Sequence, residues 1–390
     1  MLSQRLNEIK PFRVMEVLAR AQELQSLGHH VLHFEVGEPD FSTAEPIVEA
    51  GVSALRQGHT KYTEATGIAS LRQAIADHYA AMGITVGAER IVVTSGASAG
   101  LALLSALLLN PGDELLITDP GYPCNEVFVH LTGAVPRAIP VGPNSGFQPS
   151  AEDVAAHWSA ATRGVLLASP ANPTGVVLND EQLLAIGGEI DQRQGFLILD
   201  EIYQGIRRQG QHSSGLKLRS DAYILNSFSK YFGMTGWRLG WVVLPEFAIE
   251  GATKLCQNLF ICPSAPAQHA AIEAFSPASI AIHEERVAHF NRRCELLYSG
   301  LMKLGFTIPV YPQGAFYLYV DVSHTGLSSS EFCARLLDEF YIATTPGEDF
   351  GRHLADRYVR FAFTTSEQDI AEALVRIEQA LDSWAGNAAS

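Results

Sequence analysis

The feature that most constrains the fold of this chain is a series of short apolar segments that alternate with helical stretches from about residue 90. They are IVVT (91–94), ELLIT (114–118), GVLLAS (164–169), FLILDE (196–201), YILNSFS (223–229) and LGWVVL (239–244). Apolar strands of this length, separated by helices such as the one expected over 97–109, indicate a mostly parallel sheet with both faces covered. The sequence therefore predicts an α/β fold.

The order of the expected helices and strands changes after about residue 280. The expected elements there are a charged helix (281–304), a strand (314–322), a helix (329–340), a strand (358–363) and a last helix. This order is typical of a smaller α+β domain. Because 390 residues exceed one ordinary core, we expect a large domain over 45–280. Composition alone does not decide where the N-terminal segment packs, and we assign 1–44 together with 281–390 to the small domain.

Charge and cysteine usage exclude several classes of partner. The chain has 27 basic and 42 acidic residues, a net charge of −15, whereas nucleic acids and membrane surfaces are held by clustered Lys and Arg. The cysteines are odd in number and widely spaced, which predicts free thiols in a reducing compartment and neither a disulfide framework nor a metal site. The longest apolar run, 101–109, is too short to span a bilayer. We expect a soluble, cytoplasmic protein without nucleic-acid or membrane partners.

Small residues follow the first apolar strand. Ser95-Gly96-Ala97-Ser98 opens the helix after IVVT, where backbone N–H groups and the helix dipole favour an anion. An ordinary Gly/Ser helix cap is the alternative. The segment is neither a dinucleotide-binding nor a P-loop sequence, since G-x-G-x-x-G and G-K-[ST] are both missing.

Two further strands also end in polar residues. Asn172-Pro173-Thr174-Gly175 follows GVLLAS and predicts a turn. Asp200 ends FLILD, and a carboxylate at the end of an apolar strand is expensive to bury unless it is paired. A buried cation is therefore implied, which could be a metal, an Arg or a protonated ring nitrogen; a structural salt bridge is the alternative.

A lysine follows the predicted strand at 223–229, at the carboxyl edge of the same predicted sheet. Lys230 follows Ser227-Phe228-Ser229, and an amine in this position suits nucleophilic chemistry. These four residues also satisfy the S-x-x-K motif of penicillin-binding proteins. That alternative requires S-D-N and K-T-G motifs downstream, and the chain has neither.

The segment 227–240, SFSKYFGMTGWRLG, resembles the cofactor-lysine signature of class I/II aminotransferases, which are pyridoxal-phosphate (PLP) enzymes of fold type I. Other motifs of that family stand in the same order along nearly the whole chain: GEPDF (37–41), TKYTEATGIASLRQAI (60–75), SGAS (95–98), DPGYP (119–123), NPTG (172–175), DEIY (200–203) and VRFAF (359–363). The resemblance implies a mostly parallel sheet sandwiched by helices in the large domain, with an α+β small domain beside it.

The resemblance also implies the cofactor site. Lys230 would hold PLP as a Schiff base and transfer the proton of the reaction, and Asp200 would pair with the pyridinium nitrogen. Tyr203 and Asn172 would hydrogen-bond the ring hydroxyl oxygen, and Tyr122 would cover the ring face. The residues implied for the phosphate are Gly96, Ala97, Ser98, Ser227, Ser229 and Arg238, with Tyr62 from the partner of a homodimer.

For the substrate, the resemblance implies a carboxylate clamp formed by Arg360 with Gly37, assisted by Asn172. Alternation along 358–363 places Arg360 on the face opposite Val359 and Phe361, towards the cleft if those two pack on the C-terminal helix. A structural salt bridge is the alternative for Arg360.

The expected activity is amino-group transfer between an α-amino acid and a 2-oxo acid by a ping-pong mechanism. A C–S lyase or aminocyclopropane-carboxylate synthase would share every cofactor residue, so a lyase or synthase stays open. A PLP-sensing regulator is disfavoured because its basic winged-helix domain is missing from this acidic chain. SGASAG (95–100) lacks the Lys frequent in enzymes for dicarboxylic substrates, although Arg13 could supply a charge. Tyr122, Phe12 and Phe316 could line an apolar side-chain pocket or belong to the core.

Overall fold

The computed structural model describes residues 2–11, 13–208 and 213–388, and they form an α/β structure. The strands in this part of the chain are β1 (Leu32–His33), β2 (Ile91–Thr94), β3 (Glu114–Asp119), β4 (Val135–Pro140), β5 (Thr162–Ala168), β6 (Phe196–Asp200), β7 (Tyr223–Ser227), β8 (Gly240–Val243), β9 (Tyr317–Asp321), β10 (Ile342–Ala343), β11 (Thr345–Pro346) and β12 (Tyr358–Ala362).

The α-helices of the same part are α1 (Arg13–Ser26), α2 (Glu45–Arg56), α3 (Ala69–Ala81), α4 (Ala97–Leu108), α5 (Cys124–Leu131), α6 (Ala151–His157), α7 (Asp180–Gln192), α8 (Ile249–Leu259), α9 (Ala265–Glu273), α10 (Pro277–Lys303), α11 (Ser329–Phe340) and α12 (Glu367–Ala388). Short 3-10 helices lie at Gln4–Asn7, Ala88–Arg90, Pro143–Ser145, Gly215–Lys217, Thr235–Trp237, Glu246–Ala248, Ser323–Thr325, Gly347–Asp349 and Ala355–Arg357. No helix of the described residues is both long and apolar enough to cross a membrane.

The central sheet has seven strands in the order β2-β8-β7-β6-β5-β3-β4. Strands β3 to β7 are mutually parallel, and β8 runs antiparallel to both of its neighbours, β7 and β2. All six strands expected from the apolar segments are present, so the mostly parallel α/β sheet is confirmed.

Both faces of this sheet are buried. Consecutive residues of β5 alternate between two hydrophobic clusters, with Val165 and Leu167 in one and Leu166 in the other. In β6, Leu197 and Ile198 divide in the same way. Successive side chains of a strand point to opposite faces, which explains why these segments are apolar throughout.

The sequence expectations missed β4. Its sequence, VPRAIP, contains two prolines and an arginine, and only Ile139 is buried. Edge strands tolerate Pro and charged side chains because one row of their backbone groups has no strand partner. The strand therefore lacks the apolar character by which the other strands of the sheet were found.

The C-terminal part has its own antiparallel sheet, in the order β11-β12-β9. In its register Arg360 of β12 lies opposite Tyr319 of β9 and Thr345 of β11. The N-terminal segment joins this region, because β1 pairs in parallel with β10. Leu32 and His33 thus pair with a C-terminal strand, whereas Gly37 and Thr43 bond to the loop after β7.

Candidate active site

The carboxyl ends of neighbouring parallel strands bring the predicted polar residues together. Asp200 ends β6, and Leu225 pairs with it on β7, two residues before Ser227. Asn172 lies in the turn after β5. Lys230 follows β7 and therefore lies at the same edge of the sheet, as expected for a ligand site in an open α/β fold.

Asp200 is a buried carboxylate without a charged partner. It is 4% exposed, and its Oδ1 accepts a hydrogen bond from the backbone N–H of Ile202 at 3.1 Å. Within the described part of the chain, no cationic side chain forms an ion pair with it. Burial raises the pKa of Asp200 to about 7, because the charged form is poorly solvated. The alternative of a structural salt bridge is therefore not observed.

The Lys230 amine is held near this carboxylate. Its Nζ donates a hydrogen bond to the carbonyl oxygen of Gly37 at 2.7 Å and lies 6.0 Å from the centre of the Tyr203 ring. Burial lowers the pKa of Lys230 to about 8, while the negative charges of Glu38 and Asp200 oppose that shift. A larger fraction of neutral, nucleophilic amine is thus present near neutral pH than for an exposed lysine.

A cradle for an anion lies where α4 begins. Gly96 has φ of +83°, a left-handed conformation, and a Cβ added there would lie 2.5 Å from Nη2 of Arg238. The positive φ favours glycine at this position, and the short distance shows that the Arg238 guanidinium lies against the Gly96 backbone. The first-turn N–H groups of Ala97 and Ser98 have no intrahelical acceptors. Nearby, the Oγ of Ser227 accepts a hydrogen bond from the backbone N–H of Ser229 at 3.0 Å. This bond stabilises the conformation of the loop before Lys230.

Arg360 reaches across the cleft from β12. Its Nη1 donates to Oδ1 of Asn172 at 3.0 Å, and its Nη2 donates to the carbonyl oxygen of Glu35 and to Oγ1 of Thr345. The guanidinium is 4% exposed, and its Nε has no hydrogen-bond partner among the described residues. None of these partners is a carboxylate, so a structural salt bridge is not observed here either.

The sequence analysis missed Tyr317. Its hydroxyl lies 2.7 Å from the hydroxyl of Tyr203, and the guanidinium carbon of Arg360 lies 4.4 Å from its ring centre. A Cβ added at Gly37 would meet the Tyr317 hydroxyl at 2.0 Å. The signal was the alternation in YLYVD (317–321), where Tyr317 and Tyr319 put polar tips on one face of a buried strand.

The remaining predicted residues differ in their placement. Tyr122 is partly buried, and burial, followed by the neighbouring thiol of Cys124 and the charge of Asp200, raises its pKa. Tyr62 is 81% exposed, so it does not take part in the interior of this chain's cleft. Glu201, which follows Asp200 in the chain, was not predicted to belong to the site. It is buried, and its Oε1 accepts from the backbone N–H of Gly215 at 2.7 Å, which is a structural contact.

Of the residues suggested for a substrate side-chain pocket, Phe12 lies outside the described residues. Phe316 is fully buried and packs edge-on against Tyr203, with ring centres 5.4 Å apart, as a core side chain does. Arg13 donates to Oγ of Ser330 at 3.0 Å and lies 3.7 Å from a carboxylate oxygen of Glu348. Its charge is therefore already partly paired.

Comparison with known proteins identifies the class. The family described as "Aminotransferase class I and II" matches residues 29–377. A valine–pyruvate aminotransferase of Mycobacterium tuberculosis is 38% identical over 96% of this chain and 97% of its own length. A probable aspartate/prephenate aminotransferase of Thermus aquaticus is 35% identical over 97% of this chain and 99% of its own.

Solved structures agree with this result. The crystal structure of an aminotransferase from Mycobacterium tuberculosis has a TM-score of 0.94 and 38% identity, covering 98% of this chain and 99% of that one. The aspartate aminotransferase of Thermus thermophilus with maleate gives a TM-score of 0.92 and 34% identity, covering 97% and 99%.

The chain belongs to the class I and II aminotransferase family, and its fold is PLP fold type I. It is a PLP-dependent aminotransferase, which catalyses transamination between amino acids and 2-oxo acids. The family expected from the motifs is thereby confirmed.

Proposed function

We propose that this enzyme carries out transamination in the cleft between Lys230, Asp200 and Arg360, with Lys230 as the residue that binds PLP covalently. The observation that carries the proposal is the buried carboxylate of Asp200, which has no cationic partner among the described residues and lies at the same sheet edge as the Lys230 amine. A protonated ring nitrogen is the cation that this arrangement needs.

The residues present fit PLP at each of its ends. Asp200 would hold the ring nitrogen, Tyr203 and Asn172 the ring hydroxyl oxygen, and Tyr122 the ring face. The phosphate group would be bound by the cradle at the start of α4, where a Cβ at Gly96 would obstruct Arg238, together with the Lys230 loop. Its proposed residues are Gly96, Ala97, Ser98, Ser227, Ser229 and Arg238. When bound, PLP supplies an electron sink for the charge left at the substrate Cα.

Lys230 would act as the base and acid of the reaction. Its Nζ would take up the proton of the substrate Cα and give it back later in the reaction, while PLP would supply the electron sink. The lowered pKa of this amine supports the role, because a general base works best when its pKa lies near the working pH. The charge of Asp200 would keep the ring nitrogen protonated during this transfer.

Arg360 would bind the substrate α-carboxylate. Its Nε is a buried donor without an acceptor in the described structure, and such a group is costly to leave unpaired. A substrate carboxylate placed at Nε would satisfy this donor with a charge-assisted hydrogen bond. Asn172, already bonded to Nη1, and the backbone at Gly37 complete the proposed clamp.

We place neutral amino acids ahead of dicarboxylic ones as donors. A cavity of about 610 Å³ is lined by residues that include Tyr122, Phe350 and Arg13. Because Arg13 is already bonded to Ser330 and near Glu348, it is a weak site for a second substrate carboxylate. The valine–pyruvate aminotransferase, at 38% identity, agrees with this order, whereas the probable aspartate/prephenate aminotransferase, at 35%, does not.

A cytoplasmic homodimer and a two-domain organisation complete the proposal. The exposed ring of Tyr62 supports a dimer in which it contacts the phosphate in the partner's site. Free cysteines support a reducing compartment. The pairing of β1 with β10 supports a small domain made of 1–44 and 281–390, beside a large domain over 45–280.

The experiment is a half-reaction with purified, PLP-loaded enzyme and a single amino acid. L-Valine should yield one equivalent of 2-oxo acid per bound cofactor in the wild type and in Lys217→Ala, which changes an exposed lysine. Lys230→Ala should yield essentially none. A Lys230→Ala variant that formed the 2-oxo acid at the wild-type rate would refute the assignment of Lys230. L-Aspartate reacting faster than L-valine would refute the proposed order of donors.

A further inference from the structure

We propose that Tyr317 is a positioning residue that links the substrate-carboxylate clamp to the phenol that bonds the cofactor. The inference rests on the functions proposed above for Tyr203 and Arg360. It assigns to Tyr317 two contacts, one through its hydroxyl and one through its ring, that act on different steps of the reaction.

The hydroxyl contact is a buried phenol pair. The oxygens of Tyr203 and Tyr317 are 2.7 Å apart, and the two residues are 3% and 1% exposed. Each phenol has one proton to donate. When Tyr203 donates its proton to the cofactor's ring hydroxyl oxygen, it can only accept from Tyr317. Donation by Tyr317 then polarises Tyr203 and makes it a stronger donor, since hydrogen bonds in a chain reinforce one another.

The ring contact supports the guanidinium of Arg360. The guanidinium carbon lies 4.4 Å from the centre of the Tyr317 ring and 4.8 Å from that of Phe350. Aromatic faces attract a cation, and more strongly where water is excluded. Tyr317 thus restrains the orientation of Arg360 from one side, independently of its own hydroxyl.

The chain itself fits closely around the Tyr317 hydroxyl. A Cβ at Gly37 would lie 2.0 Å from that oxygen, and the carbonyl oxygen of Gly37 accepts the bond from Nζ of Lys230. The hydroxyl therefore lies beside the Tyr203 phenol and against Gly37, whose carbonyl oxygen holds the Lys230 amine.

Tyr319 provides a matched control on the same strand. It lies two residues further along β9, on the same face, and is 4% exposed. Its hydroxyl has no hydrogen-bond partner among the described residues. Tyr317→Phe and Tyr319→Phe therefore each remove one buried hydroxyl from strand β9. Only Tyr317→Phe breaks a hydrogen bond to Tyr203.

The test combines a spectroscopic titration with steady-state kinetics. In Tyr317→Phe the visible absorbance of the bound cofactor should titrate at a higher pH. Tyr203 then donates a weaker hydrogen bond to the ring hydroxyl oxygen, so the deprotonated cofactor is stabilised less. We expect kcat to fall about 3- to 10-fold, as for one lost hydrogen bond. KM for the amino acid should hardly change, since the ring under Arg360 remains. Tyr319→Phe should match the wild type in all three.

A second variant, Tyr317→Leu, removes the ring as well, and KM should then also rise about 3- to 10-fold. Equal behaviour of Tyr317→Phe and Tyr319→Phe would overturn the proposal. The Tyr203→Phe variant distinguishes the proposed contact of Tyr203 with the cofactor from the proposed linkage through Tyr317. If it shifts the titration while Tyr317→Phe does not, the linkage through Tyr317 is wrong and the proposed function stands. If Tyr203→Phe causes no shift either, the proposed contact of Tyr203 fails, and the inference about Tyr317 fails with it.

Discussion

Burial sets the ionisation of the two charged groups at the centre of the cleft. It raises the pKa of Asp200 to about 7 and lowers the pKa of Lys230 to about 8, so each residue moves towards its neutral form. These opposite shifts arise from the same cause, the poor solvation of charge in the interior. A cation bound beside Asp200 would restore its ionised form, which is the expected effect of a protonated cofactor ring.

The Arg360→Ala variant should separate carboxylate binding from the rest of catalysis. Charge-assisted hydrogen bonds contribute about 1.5–3 kcal/mol each, so kcat/KM for α-amino acids should fall roughly 100-fold or more. Transamination of simple amines without a carboxylate should hardly change. The control is Arg357→Ala, which removes an exposed arginine paired with Asp321 near the start of the same strand. Equal losses for amines and amino acids would show that Arg360 has a structural function instead.

For individual residues, the sequence predicted which residues matter better than it predicted their contacts. Alternation along β12 predicts that the Arg360 side chain points towards the cleft, and its hydrogen bond to Asn172 agrees with this direction. The pairing of Tyr317 with Tyr203 could not be predicted, because it joins residues 114 positions apart. Only the packing of β9 against the loop after β6 brings the two hydroxyls together.

Among the elements, the apolar strands were predicted from the sequence, whereas the direction of β8 was not. Buried parallel and antiparallel strands can both be fully apolar, so composition does not distinguish them. The connection does carry a signal, since the chain between Ser227 and Gly240 contains no α-helix of the kind that joins parallel strands. That connection instead holds Lys230 and Arg238, so the amine and the arginine proposed for the phosphate lie on one segment.

An ion pair fixes the N-terminal segment to α10. Nη1 and Nη2 of Arg293 donate to the two carboxylate oxygens of Asp40 at 2.7 and 2.9 Å, and the arginine is 5% exposed. Asp40→Ala would leave this buried guanidinium without its carboxylate. Because Asp40 itself is 35% exposed and Nη1 keeps its bond to the carbonyl oxygen of Thr364, unfolding should become easier by about 1–3 kcal/mol. Urea denaturation measures the change.

The control for that variant is Glu250→Ala, which breaks the exposed Glu250–Lys254 pair on α8. Exposed pairs add little because water screens them, so its unfolding midpoint should match the wild type. If Asp40→Ala also left the midpoint unchanged, the pair with Arg293 would not stabilise the N-terminal segment.

Over the whole molecule, the cleft is assembled from distant parts of the chain. Gly37 comes from the N-terminal segment, Asn172, Asp200 and Lys230 from the large sheet, and Arg360 from the C-terminal sheet. The family motifs predicted each contribution in order. They could not predict how the segments meet, because pairings such as β1 with β10 depend on contacts between residues about 310 positions apart in the chain.

The central claim is that each site combines Lys230 of one chain with Tyr62 of a second. Mixing two impaired variants, Tyr62→Ala and Lys230→Ala, tests it most directly. In a mixed dimer, one site has an intact Lys230 from the first chain and an intact Tyr62 from the second. After subunit exchange the mixture should therefore recover up to about a quarter of the wild-type activity. Mixed dimers that form, as seen by mass spectrometry of differently tagged chains, yet show no more activity than the separate variants would contradict the claim.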